Sequence, residues 1–217
     1  MYVEGPSDNY ALVALLKPII ELGAQKKIGI QFIPTSGKEL LLNNVARKAA
    51  DHLSENPNDW VFALPDLYPM KYYDGGSNQH HSVGDLRKVL LKAFNKFANK
   101  LKLSKNVRLN FRVHCLKHDL EALLLAAVAP LRRRLETSDH LTGAWKLPVE
   151  DQNDSKPPKR IVESLFIKYR KRSYQDTIDA PWILERSSLD EVMHACPQCL
   201  EPFVQDLRSI VDGTGVH

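Results

Sequence analysis

Residues 1–16, MYVEGPSDNYALVALL, decide the fold, because a very short apolar run ends in an acid and turns directly into a helix. Tyr2 and Val3 read as the end of a strand, Glu4 stands at its carboxyl tip, and Gly5 with Pro6 makes the turn. Ser7 or Asp8 then supplies the oxygen that caps a helix from about Asn9. In an open α/β sheet, ligands gather beyond the carboxyl ends of the strands. Glu4 is therefore a candidate site residue and Asp8 a further one. The plainer alternative is a solvated strand end followed by ordinary caps.

The same pattern returns further along the chain. Residues 60–66, WVFALPD, form a continuous apolar run ending in an acid, as a buried parallel strand does, which puts Asp66 at the sheet edge that Glu4 occupies. Residues 107–115 alternate strictly between apolar and polar and read as a half-buried edge strand. The helix expected next, residues 116–131, carries His118, Asp119 and Glu121 in its first turns. Carboxylates there suit the helix dipole. They also follow a strand, so three strand ends each deliver acid.

The intervening segments are read from periodicity and turn chemistry. Ala11, Leu12, Leu15, Leu16, Ile19 and Ile20 share one helical face, with Pro18 bending the helix and Gly23 ending it. Residues 28–34 have strand composition, and Thr35 or Ser36 opens a helix through KELLLNNVARKAADHL. Ser36-Gly37-Lys38 is not a phosphate loop, because the earlier glycine and the hydroxyl residue after the lysine are missing. Residues 67–84 form a polar, turn-rich loop of the length that tends to be functional, with Asp74, His80 and His81. Ser82 and Asp85 approximate a capping box for the helix that follows. Residues 135–156 are a long connection anchored by Trp145 and Leu147. Pro157 and Pro158 start another helix, and a last helical section from Ser188 breaks at Cys196-Pro197. His194, Cys196 and Cys199 make one H-x-C-x-x-C, a weak zinc signal without a second pair.

With 217 residues, 43% apolar and 26% charged, the chain is long enough for one sizeable core with a helical extension. Domain-wise the expectation is an α/β core over 1–130 and a helical extension over 131–217 packed on it. No uncharged run is long enough to span a bilayer, and three cysteines suit a reducing compartment, so a soluble cytoplasmic protein is expected. The net charge is +4, and basic residues gather in 87–105, 132–134, 156–160 and 168–172. Such runs suit phosphate backbones, though each also fits a solvated helix face.

Carboxylates that converge at one edge of a low-dielectric sheet repel unless a cation neutralises them. Oxygen ligands select Mg²⁺ or Mn²⁺. An acidic, metal-holding centre inside a basic chain suits phosphodiester cleavage, in which the metal activates water and Lys or Arg holds the backbone.

Several motifs carry a resemblance. Glu4-Gly5-Pro6-Ser7-Asp8 after a strand, and Asp66 after an apolar strand, resemble the TOPRIM (topoisomerase-primase) fold. Asp66-Leu67-Tyr68-Pro69, His118-Asp119-Leu120-Glu121-Ala122-Leu123-Leu124, Val149-Glu150-Asp151-Gln152-Asn153 and Pro157-Pro158-Lys159-Arg160 follow in order. Together with Tyr169-Arg170-Lys171 and Cys196-Pro197 they make the chain similar to a bacterial TOPRIM-like family. That family is related to the overcoming-lysogenization-defect nucleases and is often encoded beside AAA- or ABC-type ATPases in phage-defence loci. The resemblance implies a mainly parallel four-stranded sheet flanked by helices, with a C-terminal helical extension. It implies catalysis by Glu4, Asp66 and Glu121, with Glu150 as a fourth ligand to Mg²⁺ or Mn²⁺. It further implies nucleic-acid contacts from Lys159, Arg160, Arg170 and Lys171, a nucleic-acid substrate and an ATPase partner. His118 and Asp119 are further candidates. The wider TOPRIM pattern has a second acid where this chain has Tyr68. An oligomer, and a non-catalytic subunit that binds an ATPase or nucleic acid, are the other readings.

Overall fold

Tyr2 and Val3 pair on both sides in the computed structural model, which describes residues 1–67, 80–141, 143, 145–152 and 156–214. In chain order the elements begin with β1 (Tyr2–Val3), α1 (Pro6–Leu15), α2 (Lys17–Gln25), β2 (Ile33–Pro34), α3 (Lys38–Glu55) and β3 (Val61–Leu64). There follow α4 (Val83–Lys100), α5 (Lys105–Leu109), β4 (Phe111–Val113), α6 (Glu121–Ala126) and α7 (Val128–Leu135). A 3-10 turn (Val149–Asp151), α8 (Pro158–Leu165), a π-helical turn (Phe166–Arg170), α9 (Asp176–Glu185), α10 (Leu189–Ala195) and α11 (Leu200–Val211) complete the chain. It divides into two compact units, each made of more than one stretch of the chain. The first holds Met1–Gly5 with Gln31–Leu116, and the second holds Pro6–Ile30 with Lys117–Gly215.

The first unit is α/β. Its four strands are all parallel in the order β2-β1-β3-β4, with Tyr2 opposite Ile33 and Ala63, and Val61 opposite Phe111. Every residue of β3 is buried, as expected of a strand covered on both faces. α3 and α4 pack on the strands and on each other, with Leu41, Val45, Ala49 and Leu53 from α3 and Leu86, Leu90 and Phe94 from α4 all buried. The Phe94 and Phe111 rings lie 4.5 Å apart. Ser82 caps α4 by accepting the Asp85 N–H at 3.1 Å and donating its hydroxyl to the Asp85 carboxylate at 2.8 Å, the expected capping pair.

Residues 107–115 depart from the expected strand. Val107 and Leu109 lie in α5, which Ser104 caps through the Val107 N–H, and only Phe111–Val113 is extended. Arg108 explains the early helix. Its guanidinium bonds Asn99 Oδ1 and Ala98 O in the last turn of α4 and Leu103 O in the turn that follows, which a strand beginning at residue 107 would forfeit.

The second unit is helical. α1 begins at Pro6, so Ser7 and Asp8 lie within its first turn rather than capping it, in keeping with proline's preference for a first helical position. The expected long helices break beside prolines. Leu16 separates α1 from α2 two residues before Pro18, and Ala127 separates α6 from α7 three residues before Pro130, whose ring cannot sit under a continuous helix. Trp145 is buried as an anchor, but Leu147 is exposed and Val149 takes the buried position. α10 and α11 fall where expected, α10 capped by Ser188 through the Glu191 N–H. α9 is an addition to the expected elements. It packs along α1, and its fully buried Asp179 is held by Arg134 at 2.6 Å, Arg172 at 2.7 Å and the Gln175 N–H at 2.9 Å. No helix among the described residues is long and apolar enough to cross a membrane.

Candidate functional site

The strand order creates the site. The chain leaves β1 for β2 on one side and then returns to place β3 on the other, so the sheet reverses direction between β1 and β3. A parallel sheet opens a crevice at that reversal, beyond the carboxyl ends of its strands. Glu4 directly follows β1 and Asp66 lies two residues beyond β3. The two meet, since the Asp66 N–H donates to Glu4 Oε1 at 2.8 Å, and both residues are half-buried. Past the end of β3, Asp66 bridges to Leu116 and the Leu67 N–H donates to Leu116 O at 2.7 Å. The acid thus stands on a fixed backbone.

The loop from β2 closes the other side. Thr35 donates both its N–H and its hydroxyl to Val3 O at 3.0 Å, and the Gly37 N–H donates to Glu4 O at 2.7 Å. Ser36 has φ 65° and Gly37 has φ 116° with ψ 163°, a conformation open essentially to glycine alone. This turn swings Lys38, first residue of α3, so that its Nζ donates to Leu67 O at 2.9 Å, one residue past Asp66. Lys38 was visible in the sequence only as part of a failed phosphate-loop pattern. Its place beside the acids depends on the order of the strands.

Glu121 lies in the second unit and is 3% exposed. Lys159 Nζ stands 4.0 Å from its Oε1 and 3.9 Å from Asp176 Oδ2, bridging the two acids. Burial pushes the Glu121 carboxyl up to about 7, with Lys159 opposing that rise and the Asp119 charge adding to it. The buried Tyr174 hydroxyl lies next to it, and burial followed by the Glu121 charge lifts that phenol well above its usual range. A carboxyl poised near neutrality beside an ammonium and a phenol can exchange a proton at physiological pH.

The remaining expected residues lie in different surroundings. Glu150, expected as a fourth ligand, is buried and accepts from the Gln198 N–H at 2.5 Å, the Cys199 N–H at 2.8 Å and the Leu200 N–H at 3.3 Å. Both its oxygens are thereby occupied by the amino end of α11, where a negative charge is favoured. His118 is buried with Nε2 3.1 Å from Glu150 O. Arg160 is 77% exposed and pairs with Glu163 at 3.1 Å, Arg170 pairs with Glu136, and exposed Lys171 reaches Lys168 O at 2.8 Å. Asp8 and Asp119 are half-buried. Cys196 and Cys199 are buried free thiols, and His194 is exposed. His80 is buried and His81 exposed, while Tyr68, Pro69, Asp74 and Asn153 lie outside the described residues.

Among the described residues no group of three or more His, Cys, Asp or Glu is placed to hold a metal ion. Magnesium does not require one, because it keeps several waters and takes one or two carboxylates together with substrate phosphate oxygens. The Glu4–Asp66 pair fits that requirement. Glu121, held near neutrality, and Glu150, filled by amides, fit it less well.

A family model described as "Domain of unknown function (DUF4276)" matches residues 3–208. No curated protein and no solved structure matches the chain.

Proposed function

This chain belongs to the DUF4276 family, and we propose that it is a TOPRIM-like, Mg²⁺- or Mn²⁺-dependent phosphodiesterase, a nuclease or nuclease-like effector that cuts DNA or RNA. One observation carries the reading: the backbone N–H of Asp66 donates to the Glu4 carboxylate, so two acidic residues stand side by side at the reversal point of an all-parallel sheet. A divalent ion held there would neutralise phosphate charge and make water a better nucleophile at neutral pH. The chain's own contribution is positional. The Asp66 N–H fixes the rotamer of Glu4, the Thr35 and Gly37 bonds fix the backbone on either side of it, and the continued β3–β4 ladder fixes Asp66. Exposed Arg160 and Lys171 supply sequence-independent phosphate contacts. The resemblance adds an AAA- or ABC-type ATPase partner, a phage-defence role and a cytoplasmic setting to the proposal.

The test is incubation with single- and double-stranded DNA and with RNA in Mg²⁺ or Mn²⁺, beside Glu4→Gln and Asp66→Asn. Cleavage that needs the metal and falls to background in both variants is expected. Cleavage unchanged in Glu4→Gln would sink the reading. A second reading, a non-catalytic subunit that binds nucleic acid or an ATPase, is favoured by the commitment of Glu150 to α11 and of Arg170 to Glu136. Co-purification with the ATPase, together with no detectable Mn²⁺ binding by calorimetry, would select it.

A further inference from the structure

We infer that the second unit carries a binding site for a phosphomonoester of nucleotide or sugar-phosphate size, gripped by Arg132 and Arg133 at the carboxyl end of α7. The site shares no residue with the Glu4–Asp66 pair, so it stands or falls apart from the phosphodiesterase reading.

A cleft of about 500 Å³ lies here, lined by Ala129, Arg132, Arg133, Glu136, Thr137 and Ser138, all of the second unit. Small-molecule sites run to about 300–1,000 Å³, so the volume suits an organic molecule rather than a bare anion. Ala129 is the one apolar side chain in the lining, which calls for a polar ligand.

Arg132, Arg133 and Arg134 close α7, where positive charge suits the helix dipole, but the three diverge. Arg134 turns to the buried Asp179 at 2.6 Å. Arg132 and Arg133 have no carboxylate partner among the described residues, and bond instead to the carbonyls of Ser138 at 3.2 Å and Arg186 at 3.3 Å. The Arg132 Nε is buried without a hydrogen-bond partner. Turning that guanidinium to an arriving anion forfeits one long bond and gives the orphaned N–H an acceptor.

The acids that would quench these charges are engaged elsewhere. Glu136 follows Arg132 by four residues, the spacing of a helical ion pair, but its φ of 53° takes it off the helix and it pairs with Arg170. Asp139 accepts the Tyr169 hydroxyl at 2.8 Å, and that oxygen accepts from Lys168 Nζ at 2.8 Å. Lys168, Tyr169 and Arg170 all belong to the π-helical turn, a rare conformation that recurs at functional sites. The turn thus occupies both acids flanking Thr137 and Ser138. Thr137 Oγ1 accepts the Asp139 N–H at 3.1 Å, which fixes a hydroxyl in the lining beside the arginines. Two uncompensated guanidinium groups match a dianion. A phosphomonoester carries a charge of about −1.5 to −2 at pH 7, a phosphodiester only a single charge, and each arginine fork can take two phosphate oxygens.

The experiment is calorimetric titration of the full chain in EDTA with AMP, ribose 5-phosphate and 3′,5′-cyclic AMP, with circular dichroism as the folding control. AMP and ribose 5-phosphate are expected to bind saturably with similar affinity. Cyclic AMP has the same base and sugar but one charge, and should bind about tenfold more weakly than AMP. Arg132→Gln and Arg133→Gln should each weaken AMP about tenfold, and Arg132→Lys should recover only part of the loss, because an ammonium offers no fork. Arg47→Gln, at an exposed arginine of the first unit, should bind as the wild type does. Absence of saturable AMP binding would overturn the inference, as would an AMP affinity unchanged in both Gln variants, since the arginines would then serve the helix end alone. Cyclic AMP binding as tightly as AMP would refute the match to a dianion. AMP binding without ribose 5-phosphate binding would show that the base, not the phosphate, is held. None of these results bears on the carboxylate pair.

Discussion

Replacing Glu150 separates a structural carboxylate from a metal ligand. Its two oxygens accept three N–H groups at the amino end of the 12-residue α11, at 2.5, 2.8 and 3.3 Å, from a position 3% exposed. Hydrogen bonds to a charged group contribute about 1.5–3 kcal/mol each, and a charge at a helix end adds up to ~2 kcal/mol, though such terms do not sum fully. Glu150→Ala removes all three acceptors and leaves buried donors unsatisfied, so a loss of about 3–5 kcal/mol is expected. In a chain of this size that lowers the thermal midpoint by roughly 6–20 °C. Glu150→Gln keeps one oxygen but turns an amide N–H₂ toward one of the donors, and should lose about half as much. Thermal unfolding followed by circular dichroism in EDTA and again in Mn²⁺ decides the matter. The helix-end role requires the full loss in EDTA. If both variants melt with the wild type in EDTA and differ from it only in Mn²⁺, Glu150 is a metal ligand and the reasoning fails.

Two further perturbations concern one position in each unit. Glu121 is raised by burial from 4.5 to about 7, so its neutral form is the one the fold prefers. The stability this contributes is present in full below pH 4.5 and is lost as the pH climbs through 7, on the order of 3 kcal/mol. Urea unfolding of Glu121→Gln should accordingly gain on the wild type between pH 5 and pH 8; a difference that does not vary with pH refutes the shift. Gly37→Ala places a side chain on a backbone at φ 116°, and a cost of about 1–3 kcal/mol in chemical denaturation is expected although none of the described residues lies within 4 Å of the added carbon, whereas a neutral substitution would show that the turn relaxes freely.

Legibility in the sequence followed the range of the forces involved. Tyr2–Val3, Val61–Leu64, α3, α4, α10 and α11 were readable because apolar period, capping hydroxyls and turn residues act within a few positions. The alternation over 107–115 misled for the opposite reason: its first half is set by what Arg108 bonds at the end of α4. Prolines 18 and 130 cut helices whose apolar faces run on across the break, a local effect that outweighs periodicity.

The sequence by itself determined that acids stand at strand ends, since an acid after a buried apolar run needs no knowledge of its neighbours. Only the tertiary structure decided which acids share a place. Pairing put β1 between β2 and β3, which joined Glu4 to Asp66 across 62 positions and brought Lys38 alongside, while the amino end of α11 claimed Glu150 from 49 positions away. A carboxylate's role depends on the donors and charges within a few ångströms of it, and those are chosen by packing between distant segments rather than by the residues beside it in the chain.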